Sequence, residues 1–227
     1  MNEMSRKQFI KIFGLGMASV AIQGIPVYAA EPEKMLDGVA IVSENHTDYA
    51  SNISYYITKN NQKVFYRENM VLSNDVISVT TNIYNVDVNG KPIESSKRTE
   101  TQIVECKSID NKGEIAFGRA TNEGWREHTE TISLAGAKKT VQSIQALIVA
   151  ATGMGMGPAE SVATNLLDRM ISELMNNVPN EVYFKGERMT SHSVGKIYYR
   201  YSGGIYLDKA YKKLIKGNLS WSRRWGH

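Results

Sequence analysis

The chain has 227 residues, enough for one domain or two small ones. Hydrophobic residues make up 42% and charged residues 22%, an ordinary globular composition that excludes a collagen-like or wholly disordered chain. The formal net charge is +4, and the single cysteine, Cys106, excludes an intrachain disulfide partner and a cysteine-rich zinc module.

Residues 1–29 read as a signal peptide. Arg6, Lys7 and Lys11 form a basic start, Ile12 to Ile22 an uncharged run, and Pro26 a break before Val27-Tyr28-Ala29. This pattern predicts export with cleavage near Ala29. The run is short against the roughly 30 Å of a hydrocarbon core, which disfavours an uncleaved anchor. Position 30 is alanine, so no lipoprotein cysteine is present. The segment Ser5-Arg6-Lys7-Gln8-Phe9-Ile10-Lys11 resembles the twin-arginine export motif Ser-Arg-Arg-x-Phe-Leu-Lys and departs from it at Lys7. Gly14, Gly16 and Gln23 make the following stretch weakly hydrophobic, which suits that route, and the general secretory route is the other reading. One free thiol in an exported chain points to a bacterial source. In that setting the sequons at Asn45, Asn52 and Asn218 carry no meaning.

Residues 30–37 are a polar leader, and residues 38–134 read as a β-rich region. Asn52 to Thr58 and Lys63 to Glu68 are rich in β-formers and are separated by the turn residues Lys59-Asn60-Asn61-Gln62. Asp75 to Val88 alternates through Ile77, Val79, Thr81 and Ile83, then shifts parity to Tyr84, Val86 and Val88, which predicts a bulge near Ile83. Asn89-Gly90 predicts a two-residue hairpin. Strands are expected again over Thr99 to Lys107, Glu114 to Arg119 and Trp125 to Leu134.

Residues 135–178 change period to that of a helical hairpin. Val141, Ile144, Leu147, Ile148 and Ala151 form one apolar stripe, and Val162, Leu166, Met170 and Leu174 a second, about a Gly153-Met154-Gly155 turn. Pro158 suits the first turn of the second helix and Pro179 its end. Residues 179–227 form a basic aromatic β/α tail continuous with the rest of the domain. Lys196 to Tyr201 alternates as a strand, and Leu207 to Ile215 fits either a short helix after Asp208 or a turn and strand. The fold class is therefore α+β: an antiparallel β-rich N-terminal body, an Ala/Gly-rich helical hairpin and a short C-terminal β element.

The charge is unevenly distributed. Residues 181–227 carry ten basic and three acidic groups, whereas residues 30–180 carry fourteen basic and nineteen acidic ones. The basic region also holds six of the twelve tyrosines and two of the three tryptophans. Cations supply long-range attraction, and amphipathic aromatics suit an interface. Lys209, Lys212, Lys213, Lys216, Trp221, Arg223, Arg224 and Trp225 are accordingly the candidates for binding an anionic cell-wall polymer or membrane surface. No nucleic-acid partner is expected. The bland alternative packs these aromatics in a β core and leaves the cations solvated.

Thr140 to Ala159 contains no charged residue. A membrane-active, bacteriocin-like use of the hairpin would place Ile144, Leu147, Ile148, Met154 and Met156 against lipid. Gln142 and Gln145 and the glycine-rich break weigh against it. Enzyme signals are thin: there is no metal-ligand spacing, Walker loop or Gly-x-Ser-x-Gly elbow, and the glycines at 153–157 lack the dinucleotide spacing. A Cys106–His128 pair would serve a hydrolase, and a buried inert thiol is the simpler reading. No cofactor or metal is implied. The layout is similar to that of uncharacterised secreted proteins of Gram-positive bacteria, some suspected to be bacteriocin-like, which implies export and no particular activity. The expectation is an exported, non-enzymatic protein acting at the bacterial cell surface.

Overall fold

The structure, a computed structural model, describes residues 37–106, 121–122, 124–193 and 196–225, with the backbone alone at 121–122, 192–193, 196–198 and 224–225. The export signal, most of the leader, and the expected strand from Glu114 to Arg119 lie outside the described residues. The fold is α+β, with two antiparallel five-stranded sheets and two α-helices among the described residues.

The first sheet is a meander of β1 (Gly38–His46), β2 (Ala50–Lys59), β3 (Gln62–Ser73), β4 (Val76–Asn85) and β5 (Arg98–Glu105) in sequence order. Its turns follow from the sequence. Asn60 and Asn61 both adopt positive φ (51° and 61°), as do Asn74 and Asp75 (49° and 61°). Two successive left-handed residues make the tight turn whose twist matches a hairpin, and Asn and Asp tolerate it best after glycine. Asn89-Gly90 turns differently, because only Gly90 is left-handed, at φ 77°. Asp87 organises that turn by accepting from the N–H groups of Asn89 and Lys91 at 2.9 and 2.8 Å.

The expected bulge near Ile83 is not there: β3 and β4 pair without a register shift from Val64↔Asn85 to Ser73↔Val76. The parity change has another cause. Ile83 faces inward, while Tyr84 turns outward and is buried against Phe65, with ring centroids 5.8 Å apart. Both faces of the sheet are apolar at that end.

The second sheet runs β10 (Leu214–Trp225), β9 (Lys196–Tyr206), β8 (Glu181–Ser193). Beyond β8, β6 (Thr121–Asn122) and β7 (Arg126–Ser133) follow one another along the same edge. The C-terminal β element thus comprises strands of 13, 11 and 12 residues, and the strand before Leu134 joins it rather than the first sheet. No helix forms over Leu207 to Ile215. The segment is a turn followed by the start of β10.

Between β7 and β8 in sequence come α1 (Val141–Thr152) and α2 (Met156–Ser172). Thr140 caps α1 by accepting from the Ser143 N–H, and Gly153 ends it in a left-handed conformation, φ 64°. α1 contacts β3, β4, β5 and β7, and α2 contacts β1, β2 and β10, so each helix touches both sheets. This explains the absence of charge from Thr140 to Ala159: α1 is buried on nearly every side, Gln142 and Gln145 included. Ile53, Met70 and Ile77 from one sheet, Ile132, Val182 and Ile205 from the other, and Ile144, Val162 and Leu166 from the helices share one core. Each such side chain contributes roughly 1.5–3 kcal/mol by leaving water.

Candidate anionic-surface site

The connection between β9 and β10 presents the lysines. Asp208 organises it: one carboxylate oxygen accepts from the N–H groups of Lys212 and Lys213 at 3.0 and 2.7 Å, and its carbonyl accepts from the Tyr211 N–H. Tyr211 takes the left-handed conformation that the turn requires, φ 56°. The acidic group of the segment is thus engaged by the backbone, while Lys209, Lys212 and Lys213 are exposed and Lys216 is half-buried. Lys185, on the neighbouring β8, lies 5.2 Å from the Tyr211 ring centroid, and Tyr206 meets Tyr211 edge-on at 5.6 Å. The result is a hairpin end carrying several ammonium groups around two tyrosines.

Trp221 and Arg223 are elsewhere. They stand roughly 30 Å along β10 from the turn, at about 3.3 Å per residue. Both are inside the protein, with exposures of 7% and 9%. The correction has a simple cause. A strand alternates its faces, so Trp221 and Arg223 share the inner face. There Trp221 stacks on Tyr201, centroids 4.8 Å apart and planes within 10°, and meets Phe184 edge-on at 5.1 Å. Its indole nitrogen is buried without a hydrogen-bond partner. Arg223 reaches the Tyr201 hydroxyl, which also takes a hydrogen bond from Arg188, and Arg188 covers the Tyr199 ring at 4.9 Å. Burial holds the Arg223 guanidinium below the usual arginine pKa, and the Tyr201 and Glu130 charges oppose that shift. Arg224 and Trp225 continue β10, paired with Tyr198 and Ile197 through the backbone. Their side chains lie outside the described residues.

The lipid-contact candidates are also in the core: Ile144, Ile148, Met154 and Met156 are buried and Leu147 is half-buried. The folded surface does not offer them to a bilayer, and among the described residues no helix is long and apolar enough to cross one. Cys106 is half-buried, and its thiol pKa is raised by burial and then by Asp75. His128 faces Glu130 at 3.7 Å and the rings of Phe184 and Tyr201, and burial followed by the Arg188 charge lowers its pKa. No hydrogen bond joins Cys106 to His128 among the described residues, and no group of His, Cys, Asp and Glu there is arranged to hold a metal.

Two features escape a reading by segment. Glu68, 1% exposed, sits on the inner face of β3 and accepts from Tyr55, Thr81 and the Gln142 N–H at 2.8, 2.7 and 3.0 Å. Its signal was a carboxylate between the inward residues Tyr66 and Met70. The other is a set of asparagines on the outer face of the first sheet, which only strand register brings together. No protein-family model, no curated protein and no solved structure matches the chain.

Proposed function

We propose that this is an exported, non-enzymatic protein of the bacterial cell surface that binds anionic envelope through the β9–β10 hairpin end. The observation that carries the reading is the arrangement of Lys209, Lys212 and Lys213, exposed beside Lys185 and Tyr211, with Asp208 engaged by the backbone. Exposed ammonium groups on one turn attract a polyanion at long range and exchange their hydration for it at contact. Trp221 and Arg223 are committed to the core, so the reading rests on the lysines of this turn.

The test is co-sedimentation of the protein with vesicles rich in phosphatidylglycerol and with isolated cell wall. Binding weakens as salt rises through the range where the Debye length falls below about 10 Å. The triple change Lys209→Gln, Lys212→Gln, Lys213→Gln abolishes it without altering the fold, since these side chains are exposed. Sedimentation unchanged in the triple variant refutes the reading. Export is tested separately by mass spectrometry of the secreted chain, which is expected to begin near residue 30.

A further inference from the structure

Solvated faces of antiparallel sheets are usually lined with threonine and charge, and asparagine is depleted there. The outer face of the first sheet departs from this. Four successive strands each place an asparagine on it: Asn45, Asn52, Asn69 and Asn82. Asn45, Asn52 and Asn69 form one cross-strand row, and Ser54, Arg67 and Asn82 form the adjacent one. Each row therefore lies within side-chain reach of the other. These six residues line an open cavity of about 270 Å³. β1 shifts register between Ile41 and Ser43 beside it, an irregularity of the kind that re-aims side chains around a site.

The chemistry of the cavity is specific. Asn69 donates to Asn52 at 2.7 Å and Thr99 to Asn82 at 2.8 Å, which fixes both amides and leaves the Asn52 and Asn82 N–H groups without a protein partner among the described residues. Arg67 is exposed and forms no ion pair there. Its guanidinium instead lies over Phe65 and Tyr84, 5.8 and 5.6 Å from their centroids. Flanking rings restrict an arginine without using its hydrogen-bond donors, which leaves its planar fork for a carboxylate. A local choice that opposes strand propensity at four positions in two adjacent rows marks a place where function overrides stability.

We propose that this cavity binds an acidic glycan, with the asparagine amides and serine hydroxyl engaging sugar hydroxyls and Arg67 engaging a sugar carboxylate. Its volume, just below the ~300–1,000 Å³ of small-molecule pockets, suits a single sugar unit of a chain crossing the sheet. The site is on a different sheet from the lysine turn and does not depend on it.

Isothermal titration of the full-length protein with an oligogalacturonate trimer and with its neutral methyl ester tests the proposal. The wild type binds the acid more tightly than the ester. Arg67→Gln weakens the acid about tenfold, the scale of one charge-assisted contact, and leaves the ester nearly unchanged. Arg67→Lys falls between, and Asn52→Ala with Asn69→Ala weakens both ligands. Circular dichroism confirms that each variant is folded. The proposal is overturned if neither ligand binds the wild type at millimolar concentration, or if affinity for the acid is unchanged by Arg67→Gln and by the paired asparagine changes. Binding that is lost in the triple lysine variant but kept in Arg67→Gln also overturns it and assigns the ligand to the hairpin turn.

Discussion

Each sheet buries one charged side chain against α1, and the two are solvated by the protein in opposite ways. The first sheet holds Glu68 at the helix N-terminus, where the Gln142 N–H and the hydroxyls of Tyr55, Thr81 and Thr140 surround the carboxylate. The second sheet holds Arg223 at the C-terminus, packed on Gly153 and bonded to the Tyr201 hydroxyl. The helix dipole favours an anion at the first position and a cation at the second. The anion is met by neutral donors and the cation by the Tyr201 hydroxyl and the charge of Glu130 at longer range. A buried carboxylate needs directed donors at its two oxygens, whereas an arginine also packs through its apolar stem, here against Gly153. The first end of α1 is therefore fixed by hydrogen-bond count, and the second by shape.

The largest effect is expected where the count is broken. Glu68→Ala leaves up to four buried donors without an acceptor and is expected to cost about 3–5 kcal/mol, read as a fall in the urea midpoint. Glu68→Gln keeps one acceptor oxygen and costs about 1–2 kcal/mol. A cost for the alanine variant below that of the glutamine variant would break the comparison. Burial is the main cause that raises the Glu68 pKa, and the hydrogen bonds only partly oppose it. Relative to the unfolded chain, folding thus shifts Glu68 toward its protonated form, and the shift contributes stability. That stability is complete below the ordinary glutamate pKa of about 4.3 and is lost as pH rises through the raised value. The advantage of the wild type over Glu68→Gln is accordingly expected to shrink as pH rises from about 4.3 through the raised value. A gap that widens with pH would show that the donors outweigh burial.

A smaller effect is expected where shape decides. A Cβ added at Gly153 would lie 2.7 Å from Arg223 Cγ, on a backbone at φ 64° that side chains disfavour. Gly153→Ala is expected to cost about 2 kcal/mol, of which the backbone accounts for about 1. In an Arg223→Ala background the same change costs only the backbone part. A double-mutant cycle with no coupling would show that the contact does not constrain this end of the helix.

Sequence and structure agree where local chemistry governs. The turn at Asn60-Asn61, the α1 stripe, the α2 stripe as far as Met170 and the glycine-rich link between them were legible, because turn residues and helical period act over a few positions, whereas Leu174 lies beyond the end of α2 and is exposed. The β9–β10 turn was ambiguous because Asp208 accepts from backbone N–H groups either way, whether it starts a helix or closes a loop. The cluster from Trp221 to Trp225 misled because adjacency in sequence is not adjacency on a strand. Period two sent Trp221 and Arg223 to the core. Glu68 and the asparagine rows depend on register across three or more strands, which no single segment encodes.

The second helix repeats the arrangement of the first in water, and this sets the smallest prediction. α2 also ends beside a cation: Arg169 stands in its last turn, donates to Glu173 at 2.6 Å, and reaches the Leu214 carbonyl at 3.2 Å. Both members of the ion pair are partly exposed, at 27% and 39%. Solvent already satisfies these groups when the pair is broken, so Glu173→Ala removes only a screened interaction between residues four apart. The expected cost is about 0.3–0.5 kcal/mol, and it diminishes further in high salt. Should the loss approach that of Glu68→Ala, burial would not be what separates strong from weak charge placement in this fold. A small, salt-sensitive loss instead assigns the large effects at α1 to the exclusion of water from Glu68 and Arg223.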